Sequence, residues 1–266
     1  MKDETGRQTA LVTGATGGIG LELADEIARR GFDLVLVARR AAALQATAAQ
    51  LADRHSIRAD TVTLDLSLAD APERLVDELE RLDRGTDVLV NNAGFGQYGR
   101  FVETDPEAEM RMLYLNIITV TRITKLLLPR MLERGAGRIL NVASTGAFMP
   151  GPLMAVYYAS KAYVLSFSEA LAEELDGTGV TVTTLCPGPT RTGFQERAAM
   201  QQSKLVKDRR IMDAATVARE GIAAMLRGET LVIPGRTNRL QAALPRFLPR
   251  SLVPRLVGSA QAPVHP

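Results

Sequence analysis

Only one cysteine, Cys186, occurs in the chain, so no disulfide can form within it. That excludes the disulfide-stapled secreted scaffolds and fits a reducing compartment. Uninterrupted apolar runs of about 18 residues are also lacking, and no membrane-spanning helix is expected. The opening Met1-Lys2-Asp3-Glu4 lacks the basic-then-apolar order of a secretory signal, so a cytoplasmic location is expected. Charge is close to balanced, at a formal net +2, and basic residues do not mass before the C-terminal end. This argues against nucleic acid as a partner. No composition break and no internal repeat divides the chain.

What is present is ordinary globular material: 266 residues, 46% apolar and 23% charged. A domain of this size buries roughly three quarters of its unfolded surface and needs no structural metal. Short apolar runs alternate with amphipathic stretches. Strands are expected at 9–13, 32–38, 57–64, 87–90, 138–143, 180–185 and 229–233. Helices are expected at 19–30, 41–54, 68–82, 106–134, 155–175 and 213–226, the fourth opened by Thr104-Asp105-Pro106. Strands apolar on both faces, separated by helices, imply an α/β, doubly wound, seven-stranded parallel sheet covered on both sides. One domain is expected over 1–235, with a basic, leucine- and proline-rich extension over 236–266. Residues 188–211 carry no clear pattern, as a loop or lid over a site would.

The first strand runs into Thr13-Gly14-Ala15-Thr16-Gly17-Gly18-Ile19-Gly20, and a helix begins inside this stretch. Glycines there permit a tight turn and close approach of backbone to phosphate, while the helix N-terminus offers unpaired N–H groups. A glycine triplet alone is weak; its place between first strand and helix gives it weight. The second strand ends at Ala38-Arg39-Arg40. A dinucleotide fold that uses NAD usually carries an acid about 20 residues past its glycines, to take the ribose 2′-hydroxyl. Arginine at that position pairs instead with a 2′-phosphate, so NADP(H) is the expected cofactor, with NAD(H) as the alternative.

Tyr157 and Lys161 lie four apart in a helical stretch and share a face. An adjacent ammonium favours the phenolate, so Lys161 is expected to lower the Tyr157 pKa and make it an acid/base. Such a pair is common by chance. Here Ser144 ends the fifth strand, Asn91-Asn92-Ala93-Gly94 ends the fourth, and Pro187-Gly188-Pro189-Thr190-Arg191-Thr192 ends the sixth. In open α/β sheets these carboxyl ends face one crevice. Asn116 interrupts an apolar helix, where asparagine is a poor former, and either serves the site or bonds backbone.

With these residues assembled, the chain resembles the compact, single-domain short-chain dehydrogenases/reductases over about residues 7–235. The resemblance rests on TGATGGIG at 13–20, NNAG at 91–94, Asn116, Ser144, YYASK at 157–161 and PGPTRT at 187–192. It implies a hydride-transferring oxidoreductase that interconverts a carbonyl and a secondary alcohol. Tyr157 would be the acid/base, Lys161 would hold the nicotinamide ribose and tune Tyr157, Ser144 would bind the carbonyl oxygen, and Asn116 would hold a relay water. The cofactor would lie along Gly14, Thr16, Gly17, Gly18, Ile19 and Gly20. Arg39 and Arg40 would meet its 2′-phosphate, Asp65 and Leu66 its adenine, and Asn92, Ala93 and Gly94 its adenosine ribose. Pro187, Gly188, Thr190 and Thr192 would complete its nicotinamide side. A homodimer or homotetramer through helices 106–134 and 155–175 is implied. Gly17 departs from the family's frequent serine or basic residue, which removes one contact to a 2′-phosphate.

A regulatory nucleotide-binding protein, and an epimerase or dehydratase with transient oxidation, are the competing readings. The substrate is expected to be a small lipophilic molecule, with Phe95, Tyr98, Phe148, Met149, Met154 and Phe194 as candidate pocket residues. In the extension, Leu240, Leu244, Leu248, Leu252 and Leu256 recur every four residues among five arginines, while Pro245, Pro249 and Pro254 oppose a continuous helix. Short turns whose leucines pack on the body are expected there, ahead of a subunit contact or membrane-surface contact.

Overall fold

The computed structural model describes residues 6–194, 198 and 211–263. Seven parallel strands form the main sheet in the order β3-β2-β1-β4-β5-β6-β9. They are β1 (Thr9–Thr13), β2 (Asp33–Ala38), β3 (Ala59–Thr63), β4 (Val88–Asn91), β5 (Gly137–Val142), β6 (Val180–Leu185) and β9 (Leu231–Val232). The order reverses between β1 and β4, which opens the crevice where such sheets bind ligands.

Side-chain alternation explains why the central runs carry apolar residues toward both faces. Ala10, Val12, Leu34 and Leu36 face one side and meet Leu23 and Ile27 of α1 (Gly18–Ala28), Leu44 of α2 (Ala41–His55) and Ile222 of α7 (Ala214–Arg227). Leu11, Val35 and Val37 face the other side. There they meet Leu75 and Leu79 of α3 (Ala71–Arg81) and Ile123, Leu127 and Met131 of α5 (Val120–Glu133). A strand between two helical layers has no polar face to offer. Each fully buried leucine or isoleucine contributes about 1.5–3 kcal/mol.

The long expected helix from 106 is not uniform. Asp105 caps α4 (Pro106–Leu113) by accepting from the Glu107 N–H at 3.0 Å. A π-helical stretch, Tyr114–Thr119, then precedes α5. Such wide turns occur mostly at functional positions, and this one contains Asn116. Among the described helices only Pro106–Glu133 is long and apolar enough to cross a membrane by length and composition. Its Ile123, Leu127 and Met131 are instead part of the core beneath the sheet.

Two further departures have local causes. The patternless region holds a two-stranded parallel pair, β7 (Thr190–Arg191) with β8 (Met212–Asp213), too short to leave a periodic signal. Residues 195–197 and 199–210 of the expected lid lie outside the described residues. The extension forms α8 (Arg236–Ala243), a 3₁₀ turn (Leu244–Phe247) and α9 (Val253–Gln261) rather than turns alone. Pro245 and Pro254 sit in the first turns of the latter two, where a missing N–H costs nothing. Leu240, Leu244, Leu252 and Leu256 are exposed, contrary to the expected packing; Ala242, Val253 and Gln261 are buried in their place.

Candidate active site

A cleft of about 630 Å³ lies along the carboxyl ends of the strands. Its phosphate end is shaped by backbone. Gly14 has φ +70, and a Cβ there would stand 2.9 Å from Asn92 Nδ2; a Cβ on Gly20 would stand 2.2 Å from the Gly14 carbonyl. Only glycine fits either place. Asn92 locks the turn, donating through Nδ2 to the Thr13 carbonyl at 2.9 Å and the Gly14 carbonyl at 3.3 Å. Thr13 Oγ1 in turn accepts from the Asn92 and Ala93 N–H groups, each at 3.0 Å. The N-terminus of α1 carries no side-chain cap and no acid in its first turn. Its free N–H groups and positive dipole end suit an anion.

Every residue expected to meet the cofactor lines this cleft: Gly14, Thr16, Gly17, Gly18, Ile19, Gly20, Arg39, Arg40, Asp65, Leu66, Asn92, Ala93, Gly94, Pro187, Gly188, Thr190 and Thr192. Arg39 lies 3.9 Å from Asp65 and is largely exposed. Partial burial pushes the Asp65 carboxyl up, but two hydrogen bonds from Ser67, through its N–H and Oγ, hold it net below the usual range.

Ser144, Tyr157 and Lys161 share the cleft's far wall. Ser144 follows β5 in extended backbone, and its hydroxyl accepts from the Gly146 N–H at 3.0 Å. Tyr157 and Lys161 come from α6 (Ala155–Glu174). Lys161 Nζ donates to the Val142 carbonyl at 2.8 Å and stands 5.9 Å from the centre of the Tyr157 ring. Asn116 lies behind the wall, fully buried. Its Nδ2 donates to the Phe95 carbonyl and to Ser160 Oγ, each at 3.0 Å, and its Oδ1 accepts from the Phe95 N–H at 3.3 Å. One amide donor thus fixes the loop at Phe95 and the other holds Ser160 of α6.

The electrostatics correct one expectation. Burial pushes the Tyr157 phenol above its ordinary value; the neighbouring Ser144 opposes this, while Tyr158 and Cys186 add to it. Here burial outweighs any lowering by Lys161, whose ammonium is held by the Val142 carbonyl. Burial also brings Lys161 down to about 8. Cys186, packed beneath with Ala143 and Val164, is pushed up to about 12 by burial.

The adjacent tyrosines have separate roles. Tyr158 has its hydroxyl engaged elsewhere, accepting from Gln261 Nε2 at 2.6 Å, while a Cβ on Gly151 would strike its ring at 2.3 Å. Phe95, Met154, Tyr158 and Phe194 line the substrate end. Tyr98 lies one layer back, donating to the Gln261 carbonyl at 2.6 Å. Phe148 and Met149 do not line the cleft; Phe148 packs with Ala143 and Val164 instead. Sequence reasoning missed a buried chain of amides behind the site. Asn91 Nδ2 donates to Asn141 Oδ1 at 2.8 Å, and Asn141 Nδ2 donates to Ser168 Oγ at 2.9 Å. Asparagine inside two apolar strands was the available signal.

The model of the short chain dehydrogenase family matches residues 8–203. The chain belongs to that family. Among curated proteins it is 35% identical to the very-long-chain 3-oxoacyl-CoA reductase of Rattus norvegicus over 182 residues, covering 67% of this chain and 58% of that protein. The chain thus spans little more than half the length of that relative. Among solved structures, a short-chain dehydrogenase from Sphingobium yanoikuyae in complex with NADPH is 34% identical, with a TM-score of 0.80, over 90% of this chain and 94% of that one. The bulky-bulky ketone specific alcohol dehydrogenase from Comamonas testosteroni is 31% identical, with a TM-score of 0.75, over 90% of this chain and 93% of that one.

Proposed function

We propose that the protein is a cytoplasmic NADP(H)-dependent reductase that converts a lipophilic ketone to a secondary alcohol, with Tyr157 as the proton donor. The carrying observation is that Ser144, Tyr157 and Lys161 line one cleft together with a glycine turn on an uncapped helix. The residues fit a dinucleotide: Gly14 and Gly94 line the cleft where a Cβ would strike Asn92 or Asn116, and the α1 N-terminus offers free N–H groups to an anion. When bound, the nicotinamide supplies the hydride.

The protein's own groups do the rest. Ser144 holds the ketone oxygen, and Tyr157 passes its proton to that oxygen as negative charge develops there. Burial keeps the phenol protonated, the form that can give a proton when a ketone is reduced. Lys161 presents a cation to the ribose hydroxyls, and Asn116 fixes Phe95 over the site. Arg39 and Arg40 support NADP(H), and the NADPH complex of the Sphingobium relative agrees with them. Phe95, Met154, Tyr158 and Phe194 favour an apolar substrate, in keeping with the bulky ketones and long acyl chains in the relatives' names. The half-exposed Ile118, Leu126, Leu132 and Tyr163 on the helices from 114 to 174 support a homodimer or homotetramer.

The test is turnover of a panel of bulky aryl and alkyl ketones followed by NADPH absorbance, with Tyr157→Phe as control. The substitution is expected to reduce turnover at least ~10²-fold. Turnover without stoichiometric NADPH consumption would instead indicate an epimerase or dehydratase, and an unaffected Tyr157→Phe enzyme would overturn the assignment.

A further inference from the structure

The 236–261 segment presents a face that the catalytic cleft does not use. Leu240, Leu244 and Phe247 follow at helical spacing along α8 and its 3₁₀ continuation, and Leu252 and Leu256 lie one turn apart at α9. All five are exposed, Phe247 to 82% and Leu240 to 69%. Interleaved with them are the exposed Arg236, Arg239, Arg246, Arg250 and Arg255, and no acidic residue follows Glu229 in the sequence. Arg239 reaches Glu220 at 3.7 Å; the other four form no ion pair among the described residues.

The segment is nonetheless docked. Ala242, Val253 and Gln261 are buried, Asn238 donates to the Pro234 carbonyl at 2.7 Å, and Gln261 holds both Tyr98 and Tyr158. A fixed backbone therefore holds the leucines outward and prevents their collapse onto the body.

We propose that this segment seats the protein on an anionic lipid bilayer. Contiguous exposed apolar side chains are rare on isolated soluble domains and mark a contact. Leucine and phenylalanine among arginines, four of them without an ion pair among the described residues and no acid on the segment itself, is the composition that enters a membrane interface and meets phosphate headgroups. Nucleic acid would match the arginines but not Phe247 and the leucines. A two-fold contact with a second copy would set five arginines against five more, with no carboxylate on either segment. The Gln261 link to Tyr98 and Tyr158 then brings the apolar end of the cleft to the lipid surface; that consequence, unlike attachment itself, rests on the reductase reading.

The full chain should float with vesicles of phosphatidylcholine containing about one third phosphatidylserine at ~0.15 M salt, and only weakly with phosphatidylcholine alone. Replacing Arg246→Gln and Arg250→Gln together should weaken binding about 25-fold, about fivefold per charge. Leu244→Ser with Phe247→Ser should weaken it at least ~10-fold. Circular dichroism and NADPH-dependent reduction of a water-soluble ketone should stay unchanged in both variants, which separates loss of binding from loss of fold. Failure of the reductase reading would leave flotation intact. No flotation of the intact chain, or flotation indifferent to the arginines and to phosphatidylserine, would overturn the proposal. So would a lipid-free dimer that the Leu244→Ser, Phe247→Ser variant dissociates, since the face would then belong to a second copy.

Discussion

Lys161 Nζ donates to the Val142 carbonyl at 2.8 Å, so the ammonium of the cleft wall is held by the end of β5. Burial lowers its pKa from 10.5 to about 8. The unfolded chain therefore holds more protons than the folded one between those values, and stability gains from this group as pH rises through the window. Below about pH 8 the folded protein carries the full cost. Lys161→Met should remove that slope. At pH 7 it should stabilise the fold by roughly 2 kcal/mol, a gap of roughly 3 kcal/mol less about 1 kcal/mol for the lost hydrogen bond. Urea unfolding at pH 7 and pH 10 checks this: the variant's advantage should shrink at the higher pH.

Tyr158 and Tyr157 should separate cleanly. Tyr158→Phe strips the acceptor from buried Gln261 Nε2 and is expected to cost about 1–3 kcal/mol in stability while turnover stays within about threefold. Tyr157→Phe should do the reverse. Melting curves and kcat measured on both variants decide it, and a dead Tyr158→Phe enzyme would count against the site as drawn.

Cofactor preference should move in both directions. Arg39→Asp places a carboxylate beside Asp65 and should weaken NADPH at least tenfold, about the strength of one charge-assisted hydrogen bond. At Gly17 a Cβ would meet nothing within 4 Å, and its φ of 166 is extended backbone open to any residue. Gly17→Arg is therefore expected to fold normally and tighten NADPH severalfold without changing NADH. Fluorescence titration of both cofactors tests the pair.

Cys186 should be inert. With its thiol pushed up to about 12 by burial, almost no thiolate forms near neutrality. Iodoacetamide at pH 8 should leave the native protein unlabelled and label it fully in urea; mass spectrometry reads the difference.

Much of this was legible in the primary structure because it depends on local chemistry. Strands such as 9–13 have an apolar centre and are buried throughout, since both of their faces are covered. The glycine turn, NNAG and the Tyr157–Lys161 spacing are constraints written over a few residues. Boundaries shifted where tertiary contacts overrode periodicity: the helix after Pro106 widens at Tyr114–Thr119 around Asn116, whose amide is engaged by Phe95 and Ser160.

The sequence by itself determined the order of elements, the parallel sheet and the identity of the reactive side chains, because hydrophobic period, glycine and proline act over one or two turns. Only the tertiary structure decided which way those side chains point. Residues distant in the chain set the burial that raises Tyr157, the Val142 carbonyl that holds Lys161, and the Gln261 amide that occupies Tyr158. Whether the leucines of 236–256 pack or project was settled the same way. A period of four marks one side of a helix, but which side meets the body depends on where Val253 and Gln261 find partners.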